Sequence, residues 1–72
     1  MYTAQGIIMA SSEFRKIAAT EALELIAKTN GQTYELTLQA YRQGVPNVVN
    51  KVADLVHEAA QALADKLNTE AA

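Results

Sequence analysis

The chain has 72 residues, enough for one domain at most, and half of its residues are hydrophobic. It contains no cysteine, which excludes disulfides and metal sites that need thiolates, so a partner subunit is the remaining common way to stabilise so small a domain. Six basic and eight acidic residues give a net charge of −2, a balance that does not favour binding to phosphate backbones. No apolar run reaches the roughly 18 residues of a membrane-spanning helix, and no basic segment typical of a secretory signal opens the sequence. A cytoplasmic location is therefore expected.

The first eleven residues are predicted to form a flexible or extended N-terminal arm. Gly6 lowers helix propensity, and the apolar stretch 7–10 is too short to predict a helix by itself. The remainder, 12–72, is predicted to be a single helical domain.

Helix one is predicted over residues 12–29. Ser11 or Ser12 is a suitable N-cap, because a serine hydroxyl accepts a hydrogen bond from a backbone N–H that has no partner within the helix. Apolar residues recur at spacings of four, four and three, which is one face of a helix: Phe14, Ala18, Ala22 and Leu25. Gly31 is expected to end the helix, since it adopts left-handed backbone without a steric penalty.

Helix two is predicted over residues 33–43, with Thr33 as its N-cap and Gly44 just beyond its end. One face carries Tyr34, Leu38 and Tyr41, whereas Leu36 and Ala40 lie on another face. A helix that is apolar on two sides is normally sandwiched between neighbours. The alternation of apolar and polar residues also fits a strand over 33–40, which would have to pair with the N-terminal arm.

Helix three is predicted over residues 47–68. Asn47 is the expected N-cap, and Pro46 is expected to stop helix two from continuing. The polar residues gather on one side: Asn50, Asp54, His57, Glu58, Gln61, Asp65 and Asn68. The apolar arc opposite them spans roughly 200°, about twice the width that one packing partner covers.

This excess of apolar surface predicts self-association of an all-α domain of three helices. The partner or dimer interface is predicted on the two-sided helix two and on the broad face of helix three. Its residues are Tyr34, Leu36, Leu38, Tyr41, Val48, Val52, Leu55, Val56, Ala59 and Leu63.

Catalytic and metal-binding patterns are weak in this sequence. The segment 57–61, HEAAQ, resembles the helix of zinc proteases, but Gln61 stands where the second histidine is required, and His57 is the only histidine. Asp54 and His57 are spaced as in some metal sites of helical bundles, but they fall on the polar side of helix three. We therefore predict no catalytic residues, no metal and no cofactor, and the protein is not expected to be an enzyme.

Two functional classes follow from these patterns. The first is a non-enzymatic protein–protein interaction module, a homodimer that acts as a regulator, inhibitor or adaptor. The second is a helix-turn-helix DNA-binding regulator, since Asn47, Asn50 and Lys51 lie at the start of helix three after a turn that contains glycine. Asp54 and Glu58 on the same helix would face the phosphates. The first class is therefore preferred, with an unidentified partner and without binding to nucleic acid or membrane.

Overall fold

A computed structural model describes residues 4–71 of the chain, with side chains described up to Thr69. Four helices are present in this part: α1 Ala4–Ala10, α2 Ser12–Asn30, α3 Tyr34–Arg42 and α4 Pro46–Ala71. The all-α class is confirmed for the described residues, but the predicted number of three helices is wrong. The strand alternative is also wrong, because the segment that follows Thr33 forms α3. Residues 1–3 of the predicted arm and residue 72 lie outside the described range.

The N-caps of α2 and α3 are those that the sequence predicts. The Ser11 hydroxyl accepts a hydrogen bond from the Phe14 N–H at 3.2 Å, and the Thr33 hydroxyl accepts one from the Leu36 N–H at 3.2 Å. Each cap satisfies a backbone donor that the first turn of a helix leaves without a partner. The choice between the two candidate serines is therefore settled in favour of Ser11.

Two glycines end α2 and α3 in the same manner. Gly31 has φ 65° and Gly44 has φ 77°, both in the left-handed region. At each position the glycine N–H and the next N–H donate back to the last turn of the helix, in the hydrogen-bond pattern of a Schellman motif. Both predicted helix ends are thus confirmed.

The start of α4 differs from the prediction. The helix begins at Pro46, so Asn47 is its second residue and not the N-cap. Proline is favoured at the first helical position, where its missing N–H would have had no partner in any case. The carbonyl of Val45 accepts hydrogen bonds from the N–H groups of Val48 and Val49 at 3.1 and 3.0 Å. Pro46 therefore starts α4 and is not only a stop signal for the preceding helix.

The longest helix sets the shape of the molecule. At 26 residues and about 1.5 Å per residue, α4 accounts for most of the 42 Å long dimension. The central core lies between α2 and α4, with the inner face of α3 packed against it. Its buried members are Ala18, Ala22, Leu23, Ile26, Val52 and Val56.

The expected N-terminal arm is helical over Ala4–Ala10 and packs onto α4. Ile8 is buried in a second cluster with Ala60 and Ala64 of α4, to which Met9 and Phe14 add partly buried contacts. Packing against small alanines compensates for the helix-weakening effect of a glycine in so short a helix. Part of the broad apolar arc of α4 is therefore covered by α1 of the same chain, and not by a second subunit.

Candidate interaction surface

The ten residues predicted at an interface fall into three groups in the fold. Val52 and Val56 are buried in the chain's own core. Six others are half-buried and pack against that core: Tyr34, Leu38, Tyr41, Val48, Leu55 and Ala59. Leu36 and Leu63 are exposed, by 57% and 37%. Fewer of these residues are thus accessible to a partner than predicted, and the accessible surface includes only part of α4.

The two apolar faces of α3 have different environments. Tyr34, Leu38 and Tyr41 lie on the inner face and pack against the core, whereas Leu36 lies on the outer face and is exposed. The prediction that α3 is apolar on two sides is confirmed. Leu36 on the outer face is thus largely open to solvent, whereas Ala40 on the same face is half-buried.

Thr37 is the most buried side chain of α3, and the sequence analysis missed it. It is 1% exposed, and its hydroxyl donates to the backbone carbonyl of Thr33 at 3.1 Å. This bond satisfies the buried hydroxyl locally. On a helix Thr37 lies on the same side as Tyr34 and Tyr41, three residues after one and four before the other, which a helical wheel would have revealed.

A groove between α2 and α4 is lined by residues of these two helices. Its wider part has a volume of about 400 Å³ and is lined by α2 between Leu25 and Asn30 and by α4 between Asn47 and Leu55. Its narrower part, of about 150 Å³, is lined by Ala18 to Leu25 and by Leu55 and Ala59. Leu25 and Leu55 line both parts and therefore mark the centre of this α2–α4 groove.

Leu25 has a different environment from the one expected. The spacing of helix one placed it on the core face, but it is 51% exposed. It lies at the margin of that face, so its side chain covers only one edge of the contact between α2 and α4. Together with half-buried Leu55 it forms a contiguous apolar surface. Contiguity distinguishes this pair from single exposed leucines, which are common on any protein.

Charged side chains flank the α2–α4 groove at both ends. Lys51 lines the wider part, and Glu21 lines the narrower part. Both are exposed. The groove therefore combines a neutral, apolar centre with charges of opposite sign at its two ends, an arrangement suited to binding another helix surface rather than a small polar substrate.

A second hollow, of about 300 Å³, lies among α1, α2, α3 and α4. Met9, Tyr41 and Val56 give it apolar walls, and Arg15 and His57 add two side chains that can donate hydrogen bonds. His57 is exposed, in agreement with its predicted position on the polar side of α4. Within the described part of the chain, no group of three or more His, Cys, Asp or Glu residues is placed to hold a metal ion.

The polar side of α4 is otherwise as the sequence predicts. All seven residues assigned to it are exposed: Asn50, Asp54, His57, Glu58, Gln61, Asp65 and Asn68. Gln61 donates to the Asp65 carboxylate at 2.8 Å, one turn further along the helix. Among residues 4–71, no helix has the length and hydropathy required to cross a bilayer.

Comparison of the chain with protein-family models, curated proteins and solved structures gives no match.

Proposed function

We propose that this protein is a non-enzymatic protein–protein interaction module that forms a homodimer and acts as a regulator, inhibitor or adaptor. The observation that carries this proposal is the contiguous apolar surface of Leu25 and Leu55 in the α2–α4 groove. Apolar side chains on two packed helices favour association, because a partner removes them from water without reorganising the fold.

Further exposed apolar groups support an interaction role. Leu36 on α3, Ile17 on α2 and Ile7 on α1 are each more than half exposed. They lie on three different helices, so the surface of the molecule offers apolar contacts beyond the groove. A homodimer that uses one of these surfaces would keep the others for a further protein partner, as an adaptor or inhibitor requires.

The chemistry of the α2–α4 groove is consistent with binding more than with catalysis. The wider part of the groove is lined by four polar side chains, those of Thr29, Asn30, Asn47 and Lys51. This set has no pair in which a general base could activate a nucleophile. A binding role therefore explains the groove with fewer assumptions than an enzymatic one.

DNA recognition is the competing interpretation, and the charges on α4 disfavour it. The helix would enter a groove of DNA with Asn47, Asn50 and Lys51 near its start. Asp54 and Glu58 follow within two turns and are exposed. Carboxylates at these positions would be held close to phosphates, which costs affinity.

Sedimentation of the full chain over micromolar to millimolar concentrations tests the proposal. We expect the apparent mass to rise from the 7.8 kDa of one chain towards twice that value as the concentration increases. A mass that stays at one chain throughout would refute the homodimer. A gel shift at low salt with unrelated duplexes runs in parallel, and binding that weakens steeply with added salt would favour the DNA-binding interpretation instead.

A further inference from the structure

Four charged side chains on α2 and α4 form a pattern with internal symmetry, and two of them, Glu21 and Lys51, line the groove. On α2, Glu21 precedes Lys28 by seven residues, and on α4, Lys51 precedes Glu58 by seven residues. Seven residues are two helical turns to within about 20°, so the two charges of each helix lie on one stripe. All four side chains are exposed, and none forms an ion pair with another described side chain.

The antiparallel arrangement of α2 and α4 sorts these charges by sign. As residue numbers rise along α2 in the groove, they fall along α4. Lys51 lines one end of the groove and Lys28 lies at the same level on α2, so this end is here called the basic end. Glu21 lines the other end and Glu58 lies at the same level on α4, so that end is here called the acidic end. The two ends are about 10 Å apart along the helix axes.

The apolar centre of the groove lies midway between these ends. Leu25 is four residues after the α2 carboxylate and three before the α2 lysine, and Leu55 occupies the mirrored position on α4. We propose that a second copy of this chain binds to the groove, related to the first by a two-fold axis that crosses both helices at the level of Leu25 and Leu55.

This rotation follows from the signs of the charges. The rotation makes the groove of the second copy run in the opposite direction to that of the first, so the basic end of each copy faces the acidic end of the other. If the two grooves ran in the same direction, lysines would face lysines and carboxylates would face carboxylates. A partner with a single sign of charge, such as a nucleic acid or an anionic membrane surface, would match only one end. The pattern therefore selects a self-complementary partner, as a two-fold interface requires.

The symmetry predicts which charges meet. Lys51 of each copy faces Glu58 of the other on α4, and Lys28 faces Glu21 on α2, so each contact occurs twice. Alanines that line the narrower part allow the helices of the two copies to approach closely. Glu24 and Asp54, which lie at the level of the axis, are each 100° around the helix from the neighbouring leucine, whereas the four charges of the pattern lie within about 60° of it.

The inference rests on the proposed homodimer, and charge-reversed variants of the full chain test it separately. Lys51→Glu and Glu58→Lys each place like charges in contact twice, so we expect each variant alone to dimerise about tenfold or more weakly than the native chain. An equal mixture of the two restores opposite charges at both contacts. Its association is expected to return to within a few-fold of the native value, as measured by sedimentation or by fluorescence transfer between labelled chains.

Lys16→Glu is the matched control. It changes the net charge by the same amount as Lys51→Glu, but Lys16 lies on the opposite side of α2 from Leu25. We expect this variant to dimerise like the native chain, and its mixture with Glu58→Lys to gain nothing. A second, independent pair on α2 is Glu21→Lys with Lys28→Glu, which should lose and regain association in the same way. Circular dichroism confirms that each variant retains its helices.

The outcomes distinguish the two proposals. A chain that stays monomeric overturns both the proposed homodimer and its proposed interface at the groove. A dimer that the charge reversals do not weaken, or that mixing the two variants does not restore, overturns the groove interface but not the homodimer. If the mixture of Lys16→Glu with Glu58→Lys associates as well as the matched mixture, overall charge alone explains the recovery, and the groove interface is again overturned. Loss in each single variant with recovery only in the matched mixtures supports the inference.

Discussion

The packing of α1 on α4 leads to a prediction that compares two adjacent isoleucines. Ile8 is 9% exposed and packs against Ala60 and Ala64, whereas Ile7 is 61% exposed. Both lie in the same helix and have the same side chain, so each replacement by alanine has the same effect on intrinsic helix propensity. Any difference between Ile8→Ala and Ile7→Ala therefore measures burial on α4.

The expected magnitude follows from the buried carbon atoms. Replacing Ile8 by alanine removes three carbon groups at about 0.8 kcal/mol each, or roughly 2.5 kcal/mol of unfolding free energy. A chain of this length has a total stability of roughly 4–11 kcal/mol, so the loss is a large fraction of it. The corresponding fall in the thermal midpoint is about 10–20 °C. Ile7→Ala should change the unfolding free energy by less than about 0.5 kcal/mol.

Urea unfolding followed by far-ultraviolet circular dichroism measures both variants against the native chain. All three proteins are compared at one concentration, because dimerisation makes apparent stability depend on concentration. Hydrogen exchange of the Ser11 N–H, which donates to the Ile8 carbonyl at 3.1 Å, separates local detachment of α1 from global unfolding. Whether α1 detaches locally or the whole chain unfolds, we expect Ile8→Ala to destabilise the protein more than Ile7→Ala.

Equal effects of the two substitutions would refute the reasoning. So would a loss below about 0.5 kcal/mol for Ile8→Ala together with unchanged exchange at Ser11. Either result would mean that α1 does not stabilise the fold through Ile8. It would also leave the apolar arc of α4 uncovered in the single chain, as the sequence pattern by itself suggested.

Three further predictions concern the caps and the buried hydroxyl. Ser11→Ala removes the N-cap of α2 and should lower the unfolding free energy by about 1 kcal/mol in urea titrations. Gly31→Ala places a Cβ on left-handed backbone and should cost about 1–2 kcal/mol, seen as a lower thermal midpoint. Thr37→Val keeps the buried shape, and the Thr33 carbonyl still accepts the N–H of residue 37 at 3.2 Å. It should therefore change the urea midpoint little, whereas Thr37→Ala should lower it clearly.

Each of these predictions has a control or an outcome that contradicts it. Ser12→Ala is the control for Ser11→Ala, because its hydroxyl does not cap the helix; equal losses would remove the assigned role of Ser11. An unchanged midpoint for Gly31→Ala would contradict the left-handed helix end. If Thr37→Val destabilises the chain as much as Thr37→Ala, the hydroxyl contributes more than its local hydrogen bond implies.

The local structure of this protein could be predicted from short stretches of sequence. The caps at Ser11 and Thr33 and the ends at Gly31 and Gly44 depend on hydrogen bonds and backbone angles within a few residues. Such contacts need no information from distant parts of the chain. The start of α4 is the exception, because Pro46 is compatible both with ending one helix and with beginning the next.

The candidate site was predicted only in part, because burial depends on which helix covers which face. The pattern of α4 gave the width of its apolar arc but could not show that Ile8 covers Ala60 and Ala64. It placed Val52 and Val56 at an interface, although α2 buries them within the chain. For the same reason the sequence did not predict that Leu25 is exposed, because its spacing assigned it to the core face.

The sequence by itself determined the helical class and most helix boundaries, since these follow from hydrophobic periodicity and from caps that act within one turn. The tertiary structure decided that residues 4–10 form a helix, since Gly6 makes this short segment unfavourable until its apolar face is packed. It also decided which apolar residues remain at the surface. That outcome depends on the antiparallel pairing of α2 with α4, which leaves Leu25 and Leu55 together between two ends of opposite charge.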